Sequence, residues 1–227
     1  MTDTKESILD AAARLFAERG FDAASLRAIT AAAGVNLAAV NYHFRSKDRL
    51  LDALFARGMQ ALNRKRVAML EAFEAESGAL PVPVDRLVRA VIEPMFDAEV
   101  CGGRDGRAFG LLLGRMYAAP DARLDRIMLG DIGQVAERFE PAFRRSLPGV
   151  PPEDLYWRAF FAIGAAAHTL ASCGLIEAVS QGRCDPQDRP AALEKLVAFI
   201  TAGLKAPAGA PCRVRPPGRP LKKKGKK

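Results

Sequence analysis

Apolar positions recur at helical spacing along most of the chain, and the breaks in that pattern divide it into helices. Ile8, Ala12, Leu15 and Phe16 share one face of a helix over residues 4–19, with Asp3 and Glu6 suited to a capping box. Gly20 ends it, and Phe21 can pack back over the last turn. Leu26, Ile29 and Ala33 then mark a short helix opened by Ser25, whose hydroxyl can accept a free backbone N–H. Gly34 stops that helix, because glycine takes the left-handed backbone of a sharp corner, and Val35 is expected as a buried corner residue. Asn36 caps the next helix, in which Leu37, Val40 and Phe44 can face the core. The result is two short helices around a tight turn within residues 25–44, the helix-turn-helix pattern.

A long helix follows from Ser46 to about Glu76, with Leu50, Leu54, Met59, Leu62 and Leu70 on its apolar side. Arg64, Lys65 and Arg66 read as its solvated face. The stretch Ser77 to Pro83 breaks it and marks a boundary. Segments 84–99, 105–118 and 121–146 are again helical in period, and Pro148 to Pro152 is the next break. The helix from 153 to about 181 is apolar or small on most faces, which predicts burial on more than one side. Residues 189–205 give a last amphipathic helix, and these two can pack against their symmetry copies as a four-helix bundle. Strand-like alternation does not appear, so the chain is expected to be all-α.

The outward face of the second short helix carries small and polar residues: Asn36, Ala38, Ala39, Asn41, Tyr42 and His43. Small residues let a helix approach base edges, asparagine can pair with adenine, and alanine can touch a thymine methyl. Lys47 begins the following helix, where a cation and a helix N-terminus can share a phosphate, and Arg27 can meet another. An ordinary pair of packed helices with a glycine corner has the same outline.

The run AGVNLAAVNYHFRSKDRLL, with ILDAAARLFAERGFDAASLRAI before it, resembles the DNA-binding domain of TetR-type transcriptional regulators. The match rests on Gly20-Phe21, Ser25, Ala33-Gly34-Val35, Tyr42-His43-Phe44 and Ser46-Lys47-Asp48-Arg49-Leu50 as a set. Asn36, Ala38 and Asn41 depart from the residues commonest there, and Thr30 stands where alanine is frequent. The first three lie on the reading face, so they bear on the operator sequence rather than the fold.

The resemblance implies an all-α protein with a three-helix helix-turn-helix domain and a larger helical domain for ligand binding and dimerisation, about nine helices. It implies a DNA-contacting set of Ser25, Arg27, Asn36, Leu37, Ala38, Ala39, Asn41, Tyr42, His43 and Lys47. It implies a homodimer formed through the last two helices of residues 153–205, a palindromic operator in double-stranded DNA, and a small hydrophobic effector. The segment YWRAFFAIGAAAHTL looks like the matching helix of the fatty-acid-responsive (PsrA-like) subgroup, which suggests a fatty acid or acyl-CoA. A pocket of Phe109, Leu112, Met116, Trp157, Phe161 and His168 would accept an acyl chain, although each of these residues alone also reads as plain core. The division that follows is a DNA-binding domain at 1–50, a connecting helix and boundary at 51–82, a helical domain at 83–206, and a tail at 207–227.

Charge alters the picture in one respect. The net charge is +8, yet Arg213, Arg215, Arg219, Lys222, Lys223, Lys224, Lys226 and Lys227 account for all of it. Binding of DNA by the N-terminal domain is therefore expected to come from placement of charge and not from bulk charge. The tail is too rich in Pro, Gly and Lys to fold alone, and its Arg-Pro-Pro-Gly-Arg-Pro core resembles an AT-hook in which Pro217 replaces the first arginine. Cys101, Cys173, Cys184 and Cys212 form no CxxC pair and read as free thiols, with no metal site or cofactor expected. No secretory signal or membrane span is visible, so a cytoplasmic protein is expected. The two histidines, His43 and His168, lie far apart, and no nucleophile–His–acid spacing or phosphate-binding glycine loop favours an enzyme. A helical protein-binding adaptor, or an activator of the same family, would share these features.

Overall fold

The computed structural model describes residues 4–97, 106–118 and 122–208. Asp3, Cys101, Cys212 and the tail from 209 lie outside them, as do the side chains of Met116 and Cys173. The described residues form nine helices: α1 (Thr4–Arg19), α2 (Leu26–Ala33), α3 (Leu37–Phe44), α4 (Lys47–Ser77), α5 (Val84–Phe96), α6 (Gly106–Ala118), α7 (Ala122–Ser146), α8 (Pro152–Val179) and α9 (Arg189–Lys205). The protein is all-α, as the periodicity predicts.

The short helices are set by their ends. Ser25 Oγ accepts the Ala28 N–H at 3.1 Å, and Gly34 closes α2 with φ 67°. Asn36 Oδ1 accepts the Ala39 N–H at 2.9 Å, and Ser46 Oγ accepts that of Arg49 at 3.1 Å. Between α3 and α4 the chain turns on Arg45, at φ 64° and ψ −35°. The Ser46 N–H reaches the Phe44 carbonyl at 2.8 Å across it, a tight three-residue turn that a side-chain-bearing residue adopts at a cost.

One hydrophobic core runs from Ile8 and Phe16 in α1 through Leu54 and Met59 in α4 to Ile200 and Leu204 in α9. A smaller cluster, with Leu70, Leu87 and Phe139, sits at the far end of α4. Helix α6 packs against α8 and α1, and its Phe109 reaches Gly58 and Phe55 of α4. Two glycines permit this. A Cβ on Gly114 would come within 2.8 Å of the Ala167 carbonyl oxygen, and one on Gly58 would fall 2.2 Å from Phe109 Cζ. Arg158 secures the end of α9, its Nη1 donating to the carbonyls of Leu204 at 2.6 Å and Ala206 at 2.8 Å, where a helix end leaves carbonyls without intrahelical donors.

Ion pairs tie the outer helices together. Arg57 of α4 meets Glu6 and Asp10 of α1 at 2.6 and 2.9 Å. Glu74 of α4 accepts from Arg138 of α7 at 2.6 Å and faces Arg145 at 3.4 Å. The Arg138 guanidinium holds the Glu74 carboxyl below its ordinary value of 4.5, against a smaller upward push from burial. Unfolded, Glu74 titrates near that ordinary value, so the pair's stabilisation is complete above it and is lost as pH falls through the lower folded value. Glu74→Gln should therefore lower stability at neutral pH by a small amount, as half-exposed pairs do. It should also flatten the acid limb of a melting-temperature profile as pH falls below the ordinary value of 4.5.

Candidate DNA-reading face and effector cavity

Ile29 of α2 and Val40 and Phe44 of α3 are buried, and they anchor the helix-turn-helix on α1. Thr30 fits beside them, its hydroxyl turned back onto the Arg27 carbonyl at 2.9 Å. Val35 is half-buried at the corner and packs against the core, less covered than the pattern suggests. The opposite face of α3 is open. Asn36, Ala38, Asn41, Tyr42 and His43 are exposed and Ala39 is half-buried. Tyr42 is 84% exposed and meets His43 edge-on at 5.1 Å. Leu37 is 41% exposed, so it belongs with this outward face and not with the core. The buried stripe of α3 has Val40 and Phe44 as members, one turn apart, and Leu37 precedes them.

Ser25 is occupied as the α2 cap, and Arg27 is exposed beside it. Lys47 is more constrained than a free phosphate-seeking cation. Its Nζ donates to the Asp22 carbonyl at 3.1 Å and lies 4.5 Å from the centre of the Phe21 ring. A capped, exposed helix face of this kind can read base edges, and an exposed arginine beside a helix start can meet a phosphate.

The second site is a half-open cavity of about 150 Å³ between α4, α5, α7, α8 and α9. Val88, Val91, Phe139, Phe143, Ile163 and Ile200 supply much of its apolar lining. Arg66 stands in the wall and is only 3% exposed, which corrects its reading as part of a solvated face. Leu62, Arg66 and Leu70 follow one another at four-residue spacing on the buried side of α4. That spacing is the signal that could have placed it. Arg66 Nε donates to the Val91 carbonyl at 2.9 Å and Nη1 to Asn63 Oδ1 at 3.1 Å. At the rim, Tyr156 donates to Glu140 at 3.1 Å, and the carboxylate raises the phenol above its usual range.

Of the six residues expected to form the pocket, the five with described side chains, Phe109, Leu112, Trp157, Phe161 and His168, do not line this cavity. Phe109 and Leu112 are buried in the core, the Phe109 ring tilted against Phe55 with centroids 5.6 Å apart. The Met116 side chain lies outside the described residues. Trp157, Phe161 and His168 are on the exposed side of α8. There Trp157, Phe160 and Phe161 cluster at 5.8 to 6.4 Å, and Phe199 of α9 is exposed as well. In a single chain, then, α8 leaves one apolar side open that its composition predicts to be covered.

A capped helix-turn-helix on a larger helical body is the architecture of a DNA-binding regulator. Residues 8–54 match the family model of bacterial regulatory proteins of the TetR family, and residues 89–203 match that of the tetracyclin repressor-like C-terminal domain. The chain belongs to the TetR family. It is 46% identical over 50 residues to the HTH-type transcriptional repressor Rv1474c of Mycobacterium tuberculosis, which covers 22% of this chain and 27% of that protein. The chain spans between 25% and 37% of the length of the curated relatives it matches. Among solved structures, the fatty acid degradation regulator FadR from Bacillus halodurans has the same fold, with a TM-score of 0.60 at 14% identity over 90% of this chain and 98% of that one. The ketosteroid transcriptional regulator KstR2 of Mycobacterium tuberculosis has it too, with a TM-score of 0.58 at 18% identity over 89% and 95%.

Proposed function

We propose that the protein is a cytoplasmic, ligand-responsive repressor that binds a palindromic operator as a homodimer. Residues 1–50 read the DNA, residues 51–82 connect, and residues 83–206 receive the partner and a small hydrophobic effector. The open face of α3 carries this reading, because capped ends and a buried Val40–Phe44 stripe turn its small and polar residues outward. Paired half-site centres then lie about one helical turn apart or a multiple of it. The exposed aromatic side of α8, with Phe199 of α9, supports pairing through these two helices. Among the described residues, no helix is long and apolar enough to cross a membrane.

The effector enters the helical domain and shifts the dimer between two half-site spacings, by as much as its affinity differs between them. The resemblance to fatty-acid-responsive regulators, together with the FadR-like fold, supports an effector with a fatty acyl part. Gel shifts on the DNA upstream of the protein's own gene test the core of the proposal. Asn41→Ala and Tyr42→Ala should each weaken binding about 10- to 100-fold while the fold and dimer persist, since a good base contact contributes ~1–3 kcal/mol. Equal affinity in both variants and the parent would end the proposal.

The basic tail adds salt-sensitive affinity in this scheme. Deletion of residues 207–227 should make log K fall less steeply with log salt, because a protein that neutralises fewer phosphates displaces fewer counterions. An unchanged slope would show that the tail does not touch DNA.

A further inference from the structure

The chemistry of α3 narrows the bases it can read. This step rests on the reading of α3 as the helix that enters the major groove. Over Leu37–Phe44 the helix carries no Arg, Lys or Gln. Guanine shows two acceptors to that groove, and Arg or Lys is the side chain that commonly takes both. The nearby cations stand off the helix: Arg27 on α2, Arg45 at the turn after α3, and Lys47 fastened to the Asp22 carbonyl. The two asparagines of the face are not equivalent. Asn36 commits its Oδ1 to the Ala39 N–H as the cap of α3. Asn41 is exposed, and its side-chain amide makes no hydrogen bond among the described residues. It therefore keeps an acceptor and a donor for one partner, and adenine offers the matching pair, an amino donor beside a ring-nitrogen acceptor.

Leu37 lies one turn before Asn41, with Ala38 beside it, and both are exposed. Four residues rise ~6 Å along a helix, under two base-pair steps of ~3.4 Å, so these contacts fall within one short run of pairs. Neither Leu37 nor Ala38 has a polar side-chain atom. A G·C pair set against them would lose water from its acceptors and gain no donor in return, which is costly. An A·T pair turned with its thymine methyl toward them brings carbon against carbon, and cytosine has no such methyl. We infer that α3 reads A·T pairs: Asn41 holds an adenine through both ends of its amide, and Leu37 and Ala38 rest on thymine methyl groups. In a two-fold pair of subunits, each half-site carries the same short A·T core.

The test selects duplexes with the full chain from a pool of randomised sequence, then remakes the enriched duplex with altered bases. A·T pairs should dominate the core of each half-site. Uracil in place of a core thymine removes the methyl group alone. At one or more core positions it should weaken the parent about threefold to fourfold, as loss of one buried methyl does, and leave Leu37→Ala unchanged. An adenine analogue with carbon in place of the major-groove ring nitrogen should weaken the parent about tenfold at one core position and leave Asn41→Ala unchanged. Both side chains are open, so circular dichroism of the variants should match the parent. Enrichment of a G·C core would overturn the inference and leave the DNA reading of α3 standing. So would a parent indifferent to both analogues at every core position. Equal losses in the parent and the variants would also overturn it, by placing the contacts on other residues. Enrichment of no sequence at all would overturn it together with the DNA reading.

Discussion

On the proposed pairing through α8 and α9, Phe160→Glu is expected to turn the dimer into a monomer and to remove operator binding with it. Phe160 is 70% exposed and stands between Trp157 and Phe161 in an aromatic cluster on α8. Phe199, on the neighbouring α9, is 70% exposed as well. A patch of this kind on the surface of one chain marks a surface that another covers. A two-fold interface repeats every contact, so one substitution removes two aromatic anchors and brings two carboxylates together. Loss of a central anchor costs ~2 kcal/mol per copy. Two copies make ~4 kcal/mol, about a thousandfold in the dimer dissociation constant. Sedimentation or light scattering against concentration reads the dissociation directly. Circular dichroism should be unchanged, because an exposed residue contributes little to the monomer's fold. A variant that remains dimeric at micromolar concentration would move the interface away from α8.

Gly58→Ala is expected to destabilise strongly, as one of two described glycines at which an added methyl group meets atoms closer than 3.0 Å. The new Cβ would lie 2.2 to 2.6 Å from three atoms of the Phe109 ring, so the ring has to leave its site. Phe109 is 1% exposed and meets Phe55 at 5.6 Å, which leaves it no free direction. Overpacking a filled core costs ~1–3 kcal/mol, and this case belongs at the upper end. For a protein of this size that is a fall of roughly 6–12 °C in melting temperature. Gly114→Ala meets the Ala167 carbonyl at 2.8 Å and is the natural comparison, since backbone cannot rotate aside as a ring can. Phe109→Leu combined with Gly58→Ala should recover part of the loss by vacating the ring's space. A single Gly58→Ala variant that melts with the parent would show that α6 does not press on α4 at this point.

The fold is legible wherever one local rule is enough. Ser25, Asn36 and Ser46 each stand at a helix start in the sequence pattern, and all three side chains cap as such residues do. The last helix, residues 189–205, follows directly from its apolar spacing. What the sequence does not display is which neighbour covers a face. Trp157 and Phe161 have the composition of a pocket lining, yet they face outward, because helix period tells that two residues share a side and not what that side meets. Arg66 departs from expectation in the opposite sense. A run of three cations suggests solvent, but Arg66 stands in register with Leu62 and Leu70 and is carried inward by them, while Lys65 pairs with Asp97 at the margin. Leu37 resembles a core residue by its hydrophobicity alone, although its position at the first turn of α3 leaves it open. In each case the missing information is tertiary.

The anchorage of Lys47 has a mechanical result. Its ammonium is fastened to the Asp22 carbonyl and the Phe21 ring, so the first turn of α4 is bolted to the corner between α1 and α2. Helix α4 has 31 residues and is about 46 Å long. A rotation of about 5° about its distant end would swing this bolt through roughly 4 Å, given that length. Because the joint is stiff, the swing would carry the whole three-helix head as a block. The spacing between the two heads of a pair would change while the grip of each head kept its shape.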